Sequence, residues 1–411
     1  MSTTTIDPID RLLDAAQSGN TLIKNRDVLH FTHIPNQILH RDPEQEKITQ
    51  SLLPILMESR PSNLLVYGKP GTGKTLVIKK VLSKIQTRVE EGSFPIKLAY
   101  TNAKQETTLY GLLVSFGRQL GLGSQKTNDE KMWLPSTGLS ISEVFNRILY
   151  ALDKNETNAV FVIDEIDYLA ELIQKTGKDV LYQITRANER LTTGSLTLIG
   201  VSNDLTFKER LDPRVISSLS EEEIVFPNYI SHEITEILKD RIQIAFDKNI
   251  VDDGALNLCA SMACGEHGDA RRAIDLLRVA SEIAERSQSV TVNDQHIRSA
   301  SQKIEEDKEV AALKSYPLHE KLLIITIMKS ANISTGEVYS VYKLLCKKTR
   351  QTELTQRRVT QMLSEIELSG LISGRMIHQG IHGNTKKFRL TISPDLVKNT
   401  LKSELIFEEI L

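Results

Sequence analysis

The chain has 411 residues, 40% of them hydrophobic and 25% charged, with a formal net charge of -2. That length exceeds one ordinary domain and implies two or three. The balanced charge excludes a protein that is basic throughout, so any nucleic-acid surface has to be local.

Three cysteines, Cys259, Cys264 and Cys346, include no Cys-x-x-Cys pair, which argues against a disulfide framework or a thiolate zinc site. The first ten residues, MSTTTIDPID, lack a basic-then-apolar targeting pattern. The strongest apolar runs, Ala159 to Ile163 and Leu322 to Met328, are too short to cross a membrane.

The first chemical unit begins at Asn63. Leu64 to Tyr67 is an apolar run that reads as a buried parallel strand. GKPGTGKT, Gly68 to Thr75, follows and matches G-x-x-x-x-G-K-[ST]. Leu76, Val77, Val81, Leu82 and Ile85 then fall near one helix face. Phosphate oxygens need many donors at close range. Gly68, Gly71 and Gly73 let the backbone curl its N–H groups inward, and the helix N-terminus adds partial positive charge. Lys74 is placed to reach the terminal phosphates, and the Thr75 hydroxyl to ligate Mg²⁺.

A second apolar strand, Ala159 to Ile163, ends in Asp164-Glu165. Acids at that place are costly unless they face a cation. Asp164 suits the Mg²⁺ shell, and Glu165 suits a general base that polarises water. Asp167 suits an ordinary acidic helix N-terminus. A third run, LTLIGVSND, ends at Asn203 and Asp204. The neutral Asn203 amide can orient a water beside a terminal phosphate, although taken alone it reads better as a turn-forming asparagine. Arg214 follows in DPRVISSL. It reads either as a residue offered to a neighbouring subunit's phosphoryl group or as half of a surface ion pair.

Beyond the charged stretch IEEDKEVAALKSYP, the pattern predicts a helix after Pro317, a second in STGEVYSVYKLLCKKT and a third in TQRRVTQMLSEIELSGLI. In the third, Val359, Met362, Leu363 and Ile366 stand at i, i+3, i+4 and i+7, one buried face. Gln356, Arg357, Thr360 and Gln361 fall elsewhere and can meet DNA. A hairpin is predicted next, with His382-Gly383-Asn384 at its tip. Its charged residues, Arg375, Lys386, Lys387 and Arg389, are all basic. Three helices and a basic hairpin are the layout of a winged helix-turn-helix, with the wing on phosphates and the third helix in a groove. A protein-binding winged helix remains the alternative. His378 and His382 read as wing surface, since no other ligands accompany them.

The order of phosphate loop, Asp-Glu strand, terminal Asn and Arg resembles the AAA+ ATPase core. FPNYISHEITEILKDRIQIAF resembles the start of an AAA+ helical lid, and GEHGDARRAIDLLRVASEIA its second-sensor helix. In that helix Ala270, Ala273, Ile274 and Leu277 form the buried stripe, and Arg271 projects from near the start. With HIPNQILHRDPEQEKI and the winged helix, roughly residues 25 to 395 resemble the archaeal origin-recognition and cell-division-control type of replication initiator.

That resemblance implies that Gly71, Thr72, Gly73, Lys74 and Thr75 bind the phosphates, and that Tyr229 and Arg241 line the nucleotide site. It implies that Asn203 and Arg271 act as first and second sensors, and that Arg214 acts in trans. The segment 31 to 41, around Pro35 and His40-Arg41, corresponds to the part that packs by the adenine. Residues Thr101 to Ser140 correspond to a helical insertion that touches and bends DNA. The polar GLGSQKTNDEKMW within it departs from the pattern and reads as a solvated loop.

The expected fold is an α/β P-loop AAA+ core with a parallel sheet flanked by helices, an all-α lid and a C-terminal winged helix-turn-helix. The expected bounds are 1–226, 227–310 and 311–411. The expected function is ATP-dependent binding of double-stranded origin DNA, with weak, slow ATP hydrolysis as a switch. Expected partners are the replicative helicase and other initiator subunits, both from the resemblance, with no membrane; the expected place is the cytoplasm at the nucleoid. The rivals are a clamp-loader-like ATPase acting on a protein and a nucleotide-regulated winged-helix transcription regulator.

Overall fold

The computed structural model describes residues 21–411 except 107, 126–128, 178, 220–221, 266–267, 331 and 379–383. Two compact units emerge, Met1–Ile297 and Arg298–Leu411. The expected core and lid therefore share one unit. The expected boundary at 310/311 lies inside a single helix, Asp294–Ser315.

In the first unit the elements in chain order are α1 (Asp42–Leu52), β1 (Leu64–Tyr67), α2 (Lys74–Gly92), β2 (Ile96–Asn102), α3 (Leu109–Gln119), α4 (Ile141–Lys154) and β3 (Asn158–Asp164). Then come α5 (Ile166–Thr176), α6 (Val180–Thr185), β4 (Ser195–Ser202), α7 (Pro213–Leu219) and β5 (Glu222–Val225). Three lid helices follow, α8 (Ser231–Ala245), α9 (Asp253–Gly265) and α10 (Ala270–Arg286), and α11 (Asp294–Ser315) crosses the unit boundary.

The five strands are parallel in the order β2-β3-β4-β1-β5. Helices cover both faces, and side chains alternate between them, so the central β1, β3 and β4 are almost wholly buried and mostly apolar, while the edge strands β2 and β5 carry exposed polar residues. Leu65, Phe161 and Ile163 enter one core, while Leu64, Val66, Val160 and Val162 enter the core on the other face. Phe116 of α3 stacks on Phe161, ring centroids 4.0 Å apart. Register then aligns the strand ends. Tyr67 stands opposite Ser202, and Asp164 stands between Val201 and Asn102. The phosphate loop, the acidic pair and Asn203 thus leave the same rim of the sheet, where α/β folds bind ligands.

The polar stretch 121–133, expected as a solvated loop, is tied back where it is described. Gly123 N–H donates to the Met132 carbonyl and Leu134 N–H to that of Gly123. Arg147 of α4 donates to the carbonyls of Glu130 and Trp133. A long side chain from α4 here supplies donors that composition cannot reveal.

In the lid, Cys259 is fully buried and donates to the Ala273 carbonyl at 3.3 Å. Burial pushes its thiol up to about 12, which leaves it protonated and unreactive.

The second unit contains α12 (Leu318–Lys329), β6 (Ile333–Ser334), α13 (Thr335–Lys348), α14 (Gln356–Leu368), β7 (Ile372–His378), β8 (Asn384–Leu390) and α15 (Pro394–Leu401). Val359, Met362, Leu363 and Ile366 of α14 are buried against Leu322, Ile325, Tyr342 and Phe388. The predicted stripe therefore faces the core. Ser334 caps α13 in a capping box with Glu337. Strand order β6-β8-β7 completes the winged-helix layout. Of the predicted hairpin tip, His382 and Gly383 lie outside the described residues, as do the side chains of His378 and Asn384, while the Asn384 backbone opens β8.

Gly268 joins α9 to α10 at φ +68°, and a Cβ there would overlap the Tyr229 carbonyl. Backbone cannot yield as a side chain can. Gly268→Ala is expected to lower stability by about 2 kcal/mol or more, read as a lower urea midpoint; an unchanged midpoint would show that the lid tolerates a shift there.

Candidate functional site

The phosphate loop spans Gly68–Gly73, with Gly71 and Gly73 at φ +75° and +93°, backbone that side-chain-bearing residues rarely adopt. Lys74 opens α2 and is only 5% exposed. Its ammonium donates to the carbonyls of Gly68 at 2.6 Å and Lys69 at 2.8 Å. Burial lowers it to about 8, while the charges of Asp164 and Asp167 work against that shift. A buried cation at the mouth of an N–H-lined turn suits a phosphate.

Asp164 is buried at the end of β3, and both its oxygens carry donors. The Thr75 hydroxyl donates to Oδ2 at 2.8 Å and the Tyr100 hydroxyl to the same oxygen at 2.6 Å. The Glu165 N–H donates to Oδ1 at 3.0 Å. Two oxygens from Thr75 and Asp164 side by side form a hard-ligand pair that fits Mg²⁺, which is held by few protein oxygens plus substrate phosphates. Burial, and then the hydrogen bond to Asp164, raises the Tyr100 phenol far above its ordinary range.

Glu165 sits at φ +54° directly before α5. A non-glycine residue there stores strain of the kind found at functional sites. Asp167 does more than begin a helix. It accepts from the Ser202 hydroxyl at 3.0 Å and from the Asn203 N–H at 3.3 Å, fixing the end of β4 beside α5.

The lid closes directly on this loop. Ala270 N–H donates to the Gly71 carbonyl at 3.3 Å. Asp269 caps α10 by accepting from the Arg271 and Arg272 N–H groups, and its carboxylate lies where a Cβ on Gly71 would fall. Arg271 is near enough for its charge to depress Lys74 further. Its guanidinium rests 5.3 Å from the Phe31 ring centroid.

The pivotal residue is Arg41, 2% exposed. Its Nε donates to the Thr72 carbonyl at 2.9 Å, one terminal nitrogen to His40 at 2.9 Å and the other to Pro227 at 2.7 Å. The guanidinium lies 3.7 Å from the Tyr229 ring centroid and 5.8 Å from that of Phe226. Loop, strand-to-lid connection and lid tyrosine are thus gathered on one cation. Tyr229 covers the loop, since a Cβ on Gly73 would come within 3.0 Å of its hydroxyl, and burial pushes that phenol up to about 12.

Arg241, matched to the nucleotide site, is buried and engaged with the N-terminal arm. It donates to the Val28 and His33 carbonyls at 3.0 and 3.2 Å, so its guanidinium binds the N-terminal arm. The arm also meets α10, where Arg26 pairs with Glu285 at 2.5 Å. Arg214 is exposed on α7, and its guanidinium has no ion pair among the described residues.

In the second unit, Gln356, Arg357, Thr360 and Gln361 are exposed on α14. Arg375 and Lys387 help line a cleft of about 460 Å³ with Asn332, Met376 and Ile377. Arg389 donates to the Ser373 hydroxyl at 3.0 Å. Lys386 is ion-paired with Glu367 of α14. The acid that neutralises this lysine comes from the neighbouring helix, outside the acid-free hairpin.

Comparison with known proteins matches residues 57–207 to the AAA domain, 235–302 to the Cdc6 AAA+ ATPase-type lid domain and 311–400 to the CDC6 C-terminal winged helix domain. An ORC1-type DNA replication protein of Cenarchaeum symbiosum is 64% identical over 405 residues, 98% of this chain and 97% of that protein. One from Thermococcus onnurineus is 38% identical over 408 residues, 98% and 96% of the two chains. Among solved structures, the Aeropyrum pernix ORC1 protein in complex with DNA is similar with a TM-score of 0.81 and 36% identity, covering 95% of this chain and 99% of that one.

Arg41→Ala removes three charge-assisted hydrogen bonds and a stacked cation, and is expected to cost about 2–4 kcal/mol. Arg41→Lys should not restore it, because an ammonium lacks the planar fork. Urea unfolding of both variants measures this, and full recovery by lysine would reduce Arg41 to a point charge.

Proposed function

The chain belongs to the family of ORC1-type DNA replication proteins, and from that premise we propose that it is an ATP-dependent initiator. In this reading it binds double-stranded origin DNA, and ATP occupancy with slow hydrolysis sets its state. It helps to recruit or load the replicative helicase, alongside other initiator subunits, in the cytoplasm at the nucleoid. Among the described residues no helix is long and apolar enough to cross a membrane.

The observation that carries this reading is the bond between lid and loop. The first N–H of α10 donates to Gly71, and Arg271 projects from the next residue. A phosphate entering the loop competes for the donors that now join these parts. Lys74 exchanges the Gly68 and Lys69 carbonyls for phosphate oxygens, and Arg271 is free to leave Phe31 for the terminal phosphate. Lid position then follows nucleotide state. Thr75 and Asp164 would hold Mg²⁺, which would neutralise phosphate charge when bound. Glu165 and Asn203 orient and polarise water at the same rim. Tyr229 shields the loop from solvent, and Arg241 secures the arm that continues into Arg41. Arg214 is available to a neighbouring subunit.

DNA binding is assigned to Gln356 and Arg357 of α14 and to Arg375, Lys387 and Arg389 of the wing, with Lys386 partly neutralised by Glu367. The relative of known structure is a DNA complex at 36% identity, which supports DNA over a protein target for this surface.

Glu165→Gln is expected to retain ATP binding and to lose turnover by about 100-fold or more. Nucleotide binding and phosphate release measured on one preparation test it; normal turnover would remove Glu165 from the base role. For DNA, Arg375→Ala with Lys387→Ala should weaken duplex binding and reduce the slope of log affinity against log salt by about 2. Lys386→Ala alone should change the slope less. An unaltered slope in the double variant takes the wing off DNA.

A further inference from the structure

We propose that Tyr100 is a positioning residue for Asp164, and that Gln119 holds Tyr100 in register to do this. The proposal rests on the reading of Thr75 and Asp164 as the Mg²⁺ side of the nucleotide site.

Tyr100 reaches Asp164 from β2, the outermost strand of the sheet, one strand beyond β3. The other two donors to that carboxylate, Thr75 and Glu165, come from the phosphate loop's helix and from the adjacent residue. The terminal torsion of an aspartate is soft and broadly distributed. Thr75 is itself a ligand, so its hydroxyl oxygen is engaged once a metal is present. Tyr100 is not one of the residues assigned to the metal, so its hydroxyl, 2.6 Å from Asp164 Oδ2, remains available to hold that oxygen when Thr75 turns to a metal.

The phenol is useful as a fixed point only if its own backbone is fixed. Among the described residues the outer edge of β2 pairs with no strand, and unpaired edge groups exchange readily with water. The Gln119 side chain, at the end of α3, closes that edge at one residue. Its carbonyl oxygen accepts from Tyr100 N–H at 2.9 Å, and its amide donates to the Tyr100 carbonyl at 3.0 Å. The same amide also donates to the Ser115 carbonyl at 3.3 Å, which ties it to its own helix. On the ring, the Lys79 ammonium of α2 lies 4.7 Å from the centroid. Tyr100 is therefore gripped at its backbone by α3 and at its ring by α2, with its hydroxyl on the carboxylate. Partners of this kind, one shell behind a metal ligand, set the ligand's orientation and hence metal affinity.

The test uses the full-length protein, with fluorescent-nucleotide binding in EDTA and across a Mg²⁺ titration, and with Mn²⁺ in the presence of ADP followed by electron paramagnetic resonance. Tyr100→Phe removes one oxygen and keeps the ring. It is expected to leave affinity in EDTA within about two-fold of the original, and to raise the Mg²⁺ midpoint and weaken Mn²⁺ binding by about ten-fold. Gln119→Leu should move the midpoint in the same direction by a smaller factor. Asp164→Asn serves as the reference. If it raises the midpoint and Tyr100→Phe does not, Tyr100 is packing alone and the proposal falls. If neither variant shifts the midpoint, the Mg²⁺ assignment of Asp164 falls first, and the proposal with it. If Tyr100→Phe weakens binding equally in EDTA, it acts on the site as a whole, which also overturns a role through Asp164.

Discussion

The first unit is organised around the buried guanidinium of Arg41. Arg41 is a full charge with almost no solvent, and such a charge is tolerated only when its donors are all well placed. Here carbonyl dipoles from three segments and two aromatic faces share it. None of these partners carries a formal charge, so the balance is met by geometry. The Thr72 carbonyl is part of the phosphate loop, and Pro227 and Tyr229 are the passage into the lid. An arrangement of this kind ties the shape of the loop to the seating of the lid, because neither can shift without unpairing a buried donor.

A second layer of bonds repeats that logic from the opposite side. Asp269 caps α10 and abuts Gly71, while Asp167 joins β4 to α5 beneath Asn203. The loop residues that would touch a nucleotide are thus backed by carboxylates that already have backbone partners. On the proposed reading, the rim is fixed by short hydrogen bonds and a constrained backbone at Asp164 and Glu165. It is held by weaker and exchangeable bonds where it must respond, at Ala270 and Arg271.

The legible parts of the molecule were those written in consecutive residues. Gly68 to Thr75 carries its own spacing rule, the acids after β3 follow an unbroken apolar run, and the α14 stripe repeats at helical intervals. Arg41 appeared only as a member of a resembling segment, because its partners lie 31 and 186 positions away. Arg241 was matched to the nucleotide wall by resemblance alone; its acceptors are carbonyls 213 and 208 positions earlier, and carbonyls leave no mark in a sequence. Tyr100 sits in a strand whose pattern explains its burial and hides its hydroxyl. The division of lid from core was drawn from motif order; the hydrogen bond from Ala270 N–H to the Gly71 carbonyl, which runs between them, could not be read that way.

Glu367 offers a last consequence. Its carboxylate occupies the place beside Lys386 that a phosphodiester would take. The hairpin thereby carries an internal decoy. On the reading that this face meets DNA, Arg375 and Lys387, which form no ion pair among the described residues, are the more available cations. Recruiting Lys386 requires evicting the decoy and leaving an acid next to a polyanion. Grazing contacts are then held more loosely than a count of basic residues suggests, and only a snugly seated duplex gains the full grip.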